Sequence, residues 1–271
     1  MLRERIITAL CLVFLLLVDL LWLPFSGFVG FMGLVFTLAA WEWANLAGIQ
    51  SHGGRAIYAL AFAALFAGIS LSGVASSGWL CVFLAVAVTG WIPALWAVFH
   101  YPENKNWHQP RVLAFMGLWL LLPAFVSLLV LQPLVNKSGL IWLVIGSVAA
   151  ADIGAYFVGR RLGKHKLAPA VSPGKTWEGF WGGAFANLIL AAVVGWYAQL
   201  SIGEFFCFVL LMVLTASASV LGDLFESMIK RERGIKDSGK LLPGHGGVLD
   251  RIDGWMAAFP AFTLFYLLSR F

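Results

Sequence analysis

The stretch Gly139-Leu-Ile-Trp-Leu-Val-Ile-Gly-Ser-Val-Ala-Ala-Ala-Asp152-Ile-Gly-Ala-Tyr-Phe-Val-Gly159, followed at once by Arg160 and Arg161, decides what kind of chain this is. It is long enough to cross about 30 Å of hydrocarbon as a helix. A helix on the surface of a soluble domain has a polar face, and this one has only Asp152. In lipid the backbone has to satisfy its own hydrogen bonds, so the run reads as a transmembrane helix with its arginines at an interface.

Eight more runs of the same kind flank it, giving approximate limits of 6–23, 26–47, 55–73, 79–99, 111–131, 139–159, 177–199, 204–226 and 252–270. The expected fold is therefore an all-α, polytopic transmembrane helical bundle of about nine transmembrane helices. The breaks fall at Pro24, at Ser51 to Gly54, at Gly73 to Gly78, at His100 to Pro110, at Gln132 to Ser138 and at two longer polar loops. With 61% hydrophobic and 11% charged residues and a mean hydropathy of +0.89, the chain is far from the composition of a soluble domain. Arg3 and Arg5 before the first run suggest a secretory signal, but the run is too long for a signal core and another follows directly, so a retained first helix is expected. Cys11, Cys81 and Cys207 sit inside apolar runs, at no zinc or disulfide spacing, and read as small buried hydrophobes.

Charge placement tests the count. With the N-terminus in the cytoplasm, nine crossings put all of the 18 lysines and arginines on the cytoplasmic side except Lys137 and Arg270. Removing one internal crossing inverts every later loop and spoils the partition; an even count follows only if a terminal run fails to cross. The net charge of +5 thus reads as membrane-flanking charge, and nucleic acid is not an expected partner. An inner bacterial membrane is the expected location, with the C-terminus on the far side. No internal repeat or soluble domain is present. Residues 1–135, about five helices nearly free of ionisable groups, read as scaffold. Residues 136–271 read as a catalytic region with cytoplasmic loops 159–176 and 227–251.

The acids carry the chemistry. Asp19, Glu42 and Glu204 read singly as snorkelling or ion-paired residues. Asp152, Asp223, Asp250 and Asp253 differ, because three helices bring them to a similar depth on the same side. Asp223, Glu226 and Lys230 follow at i, i+3 and i+7 on one helix face, and Asp250 and Asp253 share a face in the same way. Carboxylates without thiolates suit a hard divalent ion such as Mg2+, which keeps water and substrate phosphate in its shell. Ionisable groups in spans also mark ion pathways, so a cation transporter is the rival reading; it would spread its acids through the bilayer, whereas these gather on one side.

Two loops look made for phosphate. Val171-Ser-Pro-Gly-Lys-Thr-Trp-Glu-Gly179 combines small residues, Lys175, Thr176 and the positive end of the following helix. Pro-Gly-Lys-Thr is a fragment of a P-loop, but the first glycine is missing and no strand is expected before it, so a P-loop ATPase is rejected. The second loop, from Ser227 to Asp253, alternates bases with glycine turns. Contact with anionic headgroups explains its bases but not His245-Gly246-Gly247 placed just before two acids. His245 read singly is a structural residue.

Here the residues resemble a known family. Ser227, Lys230-Arg231, Lys236-Asp237, His245-Gly246-Gly247 and Asp250-Arg251-x-Asp253 are similar, in identity and spacing, to the signature of the phosphatidate cytidylyltransferases, also called CDP-diacylglycerol synthases. Asp152, Ser172 to Gly179 and Gly222-Asp223-Leu-Phe-Glu226-Ser227 carry the same likeness. It covers about the C-terminal 100 residues; over the first five spans it is a matter of hydropathy only. The resemblance implies a membrane-embedded nucleotidyltransferase of phospholipid biosynthesis. Its reaction is a magnesium-dependent transfer in which the phosphate of phosphatidic acid attacks the α-phosphorus of CTP, giving CDP-diacylglycerol and pyrophosphate. It also implies a monovalent cation such as K+ beside the Mg2+, and a homodimer.

Phosphate is already a nucleophile at neutral pH, so the protein's work is to position two anions and neutralise charge. The expected metal ligands are Asp223 and Asp250, with Asp152 and Asp253 as further ligands or orienting groups. Lys175, Lys230, Arg231, Lys236 and Arg251 are expected to bind the triphosphate and the lipid phosphate. Ser172, Gly174, Thr176, Asp237, Gly246 and Gly247 complete the substrate-binding set, and His245 is a candidate to assist departure of pyrophosphate. A polyprenol kinase using CTP is a further rival. An alcohol phosphotransferase consuming CDP-lipid is another, but its longer aspartate motif does not fit Asp253-Gly-Trp-Met-Ala-Ala.

Overall fold

The computed structural model describes residues 2–73, 77–103, 107–134 and 138–269. Lys105, Lys137 and Arg270 lie outside the described residues, as do the side chains of Arg3 and Arg5. In chain order the elements are α1 (Leu2–Trp22), α2 (Phe25–Leu46), α3 (His52–Ser72), α4 (Leu80–Thr89), α5 (Trp91–Phe99), α6 (Pro110–Leu131) and α7 (Gly139–Leu162). Then come β1 (Lys166–Ala168), β2 (Ser172–Thr176), α8 (Trp177–Tyr197), α9 (Ile202–Glu232), α10 (Leu249–Ile252) and α11 (Trp255–Ser269). Each apolar run of the sequence corresponds to one helical stretch. Eight stretches are long and apolar enough to cross a membrane, with α4 and α5 making one and α10 and α11 another; the apolar part of α1, Ile6–Trp22, is shorter. The protein is an integral, multi-pass, all-α membrane protein.

The helix ends follow local chemistry. Ser51 caps α3 by accepting from the Gly54 amide at 3.1 Å, and Thr176 caps α8 by accepting from Gly179 at 3.1 Å. Ser201 and Glu204 form a reciprocal capping box at the start of α9, at 2.8 and 3.4 Å. Glu204 is thus a capping residue and not a snorkelling one. The span 80–99 is interrupted at Gly90, three residues before Pro93, which has no N–H to continue the ladder. Cys11 and Cys207 are exposed on their helices, so they face outward where burial was expected. Trp22, Trp79, Trp196 and Tyr197 are also exposed and stand at helix ends, where aromatic rings sit at the level of headgroups.

The chain forms two compact units, each assembled from three segments. The first comprises residues 1–80, 106–141 and 229–253. Its core is aromatic: Phe36, Phe66 and Phe125 pack with ring centroids 4.5 to 6.0 Å apart. Trp43 and Tyr58 donate to the carbonyls of Leu113 and Ala114 on α6 at 2.7 and 2.6 Å. Asp19 is 1% exposed, so its side chain does not snorkel.

The second unit comprises residues 81–105, 142–228 and 254–271. Here α7 and α8 meet through glycine: a Cβ at Gly154 would strike the Gly182 carbonyl, and one at Gly183 would strike the Ala151 carbonyl. Small residues let backbones approach, which dispersion between helices in lipid requires. One buried polar clamp joins the same helices. Ser147 donates to Asn187 Oδ1 at 2.6 Å, and Asn187 Nδ2 donates to the Ser147 and Gly183 carbonyls at 3.1 and 3.2 Å. Between α7 and α8 the chain forms a two-stranded antiparallel hairpin where an irregular loop was expected, pairing Lys166 with Thr176 and Ala168 with Ser172. Its turn closes through Val171 N to Ala168 O at 3.1 Å, with Pro169 at the position whose fixed φ suits a turn.

Candidate active site

In the second unit the expected residues come from α7, β2 and α9. Pro173-Gly174-Lys175-Thr176 is itself strand β2, so the resemblance to a P-loop fails on geometry: a P-loop follows its strand. Glu178 fixes the hairpin to α8. It pairs with His165 Nδ1 at 2.6 Å and accepts from the Lys164 and His165 amides at 3.1 and 3.2 Å. Held this way, Lys175 reaches Asp223 Oδ2 at 2.6 Å, and Ser227, one turn further along α9, donates to Asp223 Oδ1 at 3.2 Å. The pair is about one-quarter to one-third exposed, open to a ligand.

A cavity of about 430 Å³ lies beside it, lined by Asp152, Tyr156, Arg160, Gly174, Lys175 and Thr176 among others. Arg160 donates to the Tyr156 hydroxyl at 2.8 Å. An apolar cavity of about 450 Å³ shares the walls Leu167, Phe180 and Val220 and continues along Leu95, Phe99, Trp177, Leu221 and Phe265. The Phe99 and Trp177 rings lie parallel within 6°, 6.3 Å apart, along it. A chamber bearing Arg160 and Lys175 as well as Asp152, adjoining an apolar one, suits a molecule with a charged phosphate at one end and a hydrocarbon at the other.

The first unit holds the loop that the sequence analysis singled out. Asp250, on α10, is its centre. Its Oδ1 accepts from Lys230 Nζ at 2.6 Å; its Oδ2 accepts from the Ser238 amide at 2.9 Å, the Ser238 hydroxyl at 3.0 Å and the Gly247 amide at 2.8 Å. The Lys230–Asp250 pair is 10% and 6% exposed. Gly246 has φ +83°, a left-handed conformation that favours glycine, and a Cβ there would also press on Asp250. α9 runs on to Glu232, past its expected end, so Lys230 and Arg231 project from regular helix. Lys236, Asp237 and Lys240, with Trp41, Asn45 and Arg55, line a polar cavity of about 630 Å³. His245 Nδ1 is buried without a hydrogen-bond partner among the described residues, and Arg251 is exposed.

One residue was missed. Glu42 on α2 is 2% exposed, and its Oε2 accepts from the Leu249 amide at 2.8 Å and the Ser238 hydroxyl at 3.1 Å. Among the described residues it is neither snorkelling nor ion-paired, as its isolated position in sequence had suggested, but bound to the Asp250 loop.

Among the described residues no three His, Cys, Asp or Glu side chains are grouped as a metal ion would need. Lys175 and Lys230 instead supply positive charge to Asp223 and Asp250. The donor chemistry nevertheless fits magnesium. Asp223 offers hard oxygens at a partly open carboxylate, and Mg2+ takes few protein ligands, completing its shell with water and phosphate.

The chain matches the family described as the cytidylyltransferase family over residues 3–269. It is 45% identical over 268 residues to a phosphatidate cytidylyltransferase of Pseudomonas aeruginosa, covering 97% of this chain and 96% of that one. A protein of the same name from Haemophilus influenzae is 39% identical over 286 residues, covering 98% of this chain and 99% of that one. One from Bacillus subtilis is 45% identical over 141 residues, half of each chain.

Proposed function

The chain belongs to the cytidylyltransferase family, and on that footing we infer that it transfers the cytidylyl group of CTP to phosphatidic acid, giving CDP-diacylglycerol and pyrophosphate. The observation that carries the lipid half of this reading is the pair of cavities with common walls in the second unit. A single acyl chain fits the apolar chamber, and the phosphate it bears then comes beside Lys175 and Arg160. A soluble nucleotide alone would have no use for a chamber so lined.

The lipid phosphate attacks the α-phosphorus, and the bond to the β,γ-pyrophosphate breaks in line. No side chain has to take a proton from an oxygen that is already anionic, so catalysis is positioning and charge neutralisation. Lys175 orients the lipid phosphate. Lys230, held against Asp250, and Lys236 and Arg231 meet the triphosphate. We propose magnesium as the cofactor, with Asp223 and Asp250 as the principal candidate ligands and Asp152 and Asp253 as further ligands or orienting groups. A magnesium ion held there would supply Lewis-acid neutralisation of phosphate charge. A K+ ion, departure of pyrophosphate assisted by His245, and a homodimer belong to the same proposal. So do an inner-membrane location with the N-terminus and the site facing the cytosol and the C-terminus opposite.

The test is direct. Purified protein is given labelled CTP, phosphatidic acid and Mg2+. Formation of a CDP-lipid with equimolar pyrophosphate supports the reading; release of CDP with a newly phosphorylated lipid would mean a kinase. Replacing Mg2+ by EDTA should abolish turnover.

A further inference from the structure

Glu42 stands apart from the sequence signature: its hydrogen-bond partners Ser238 and Leu249 lie 196 and 207 residues further along the chain. The contact is built tightly. A Cβ at Gly239 would collide with Glu42 Oε1, and one at Gly247 would collide with Oε2 and with the Ser238 hydroxyl. Both glycines are therefore required by close approach to this one carboxylate. Glu42 Oε1 is buried with no hydrogen-bond partner among the described residues, a cost that a surface ion pair would not carry. The same loop, on its other side, gives Asp250 three of its four hydrogen bonds, from Ser238 and Gly247. Ser238 touches both carboxylates with a hydroxyl that has a single proton.

We propose that Glu42 is a positioning residue for the transfer reaction: it anchors the 237–250 loop from α2, and through Ser238 and Leu249 it sets where Asp250 presents its carboxylate and where Lys230 is held. The role is geometric. Glu42 lines the polar cavity beside Lys236 and Asp237, but its oxygens are committed to the loop: Oε1 is buried under Gly239, and Leu249 and Ser238 occupy Oε2. Shape and an acceptor at Oε2 are what the loop needs, and a glutamine supplies both. An aspartate, one methylene shorter, does not reach.

This inference rests on the transfer reaction proposed above. Its test uses the full chain in detergent or bilayer, with E42Q, E42A, E42D and S238A beside the parent. A misplacement of about 1 Å at a reacting group costs about 100-fold in rate, so E42A and E42D should lose about that in kcat, while KM for CTP changes less than about threefold. E42Q should keep kcat within about fivefold of the parent, and S238A, lacking one hydrogen bond to a charged group, should lose about tenfold. Hydrogen exchange gives a readout independent of the reaction: the Ser238 and Leu249 amides should exchange faster in E42A and not in E42Q.

An E42A protein with undiminished kcat and unchanged exchange overturns the proposal. So does an E42Q protein as inactive as E42A, since that would make the charge the requirement and Glu42 a ligand. Should E42A not survive purification as a folded particle, E42Q and S238A decide: full activity in S238A sinks the idea. If the parent makes no CDP-lipid, the reaction is what fails, and the exchange data still judge the anchor.

Discussion

Asp250 is the residue with most to lose. Its carboxylate accepts four hydrogen bonds and neutralises a lysine that is nearly out of solvent. In Asp250→Asn an amide NH2 faces either donors on the loop or the Lys230 ammonium. Removing one partner of a buried pair costs about 3–5 kcal/mol. The expected outcome is turnover below about 1% of the parent in the CDP-lipid assay, with the protein still inserted and monodisperse. Lys175→Met should be milder. The ammonium is one-quarter exposed, so the lipid phosphate is held less well, and KM for phosphatidic acid should rise about tenfold with a smaller fall in kcat. Asp250, Lys230 and Lys175 could be singled out in the sequence as candidates from local motifs, though not the pairs they form, Lys230 with Asp250 and Lys175 with Asp223. Glu42 could not be. An isolated acid near the end of an apolar run looks the same locally whether it reaches for water or for a loop some 200 residues later.

Among the elements, the apolar helices were read to within a few residues except at the end of α9, which continues to Glu232, since lipid leaves the backbone no alternative to helix. The hairpin of β1 and β2 escaped. Its strands are three and five residues long, and Pro173 and Gly174 are poor strand formers. What holds it is the Pro169 turn and the Glu178 clamp, neither visible as periodicity. The approach of α7 and α8 makes a stability prediction. Gly182→Leu would thrust a side chain against Val158 and the Gly154 carbonyl. Overpacking of this kind costs about 1–3 kcal/mol or more, so thermal unfolding in detergent should shift down by several degrees, with activity per folded molecule falling as β2 is displaced. Ala218 lies along the apolar cavity, and Ala218→Trp should fill part of it. Long-chain phosphatidic acid should then turn over more slowly relative to a short-chain analogue, while KM for CTP stays put. Equal loss on both lipids would remove the acyl chain from that chamber.

At the scale of the whole molecule, composition separates a front half poor in charge from a rear half rich in it. Contacts draw a different division, because hydropathy says that a helix crosses lipid but not which helix it meets there. The two units take the chain in alternating segments, the first ending with 229–253 and the second with 254–271. That alternation bears on synthesis. By the time a ribosome has delivered residue 228, most spans have been made, yet neither unit has all its parts: the first awaits its third segment and the second its last helix. A stop codon at position 229 would therefore deprive both units at once, the first of 229–253 and the second of 254–271.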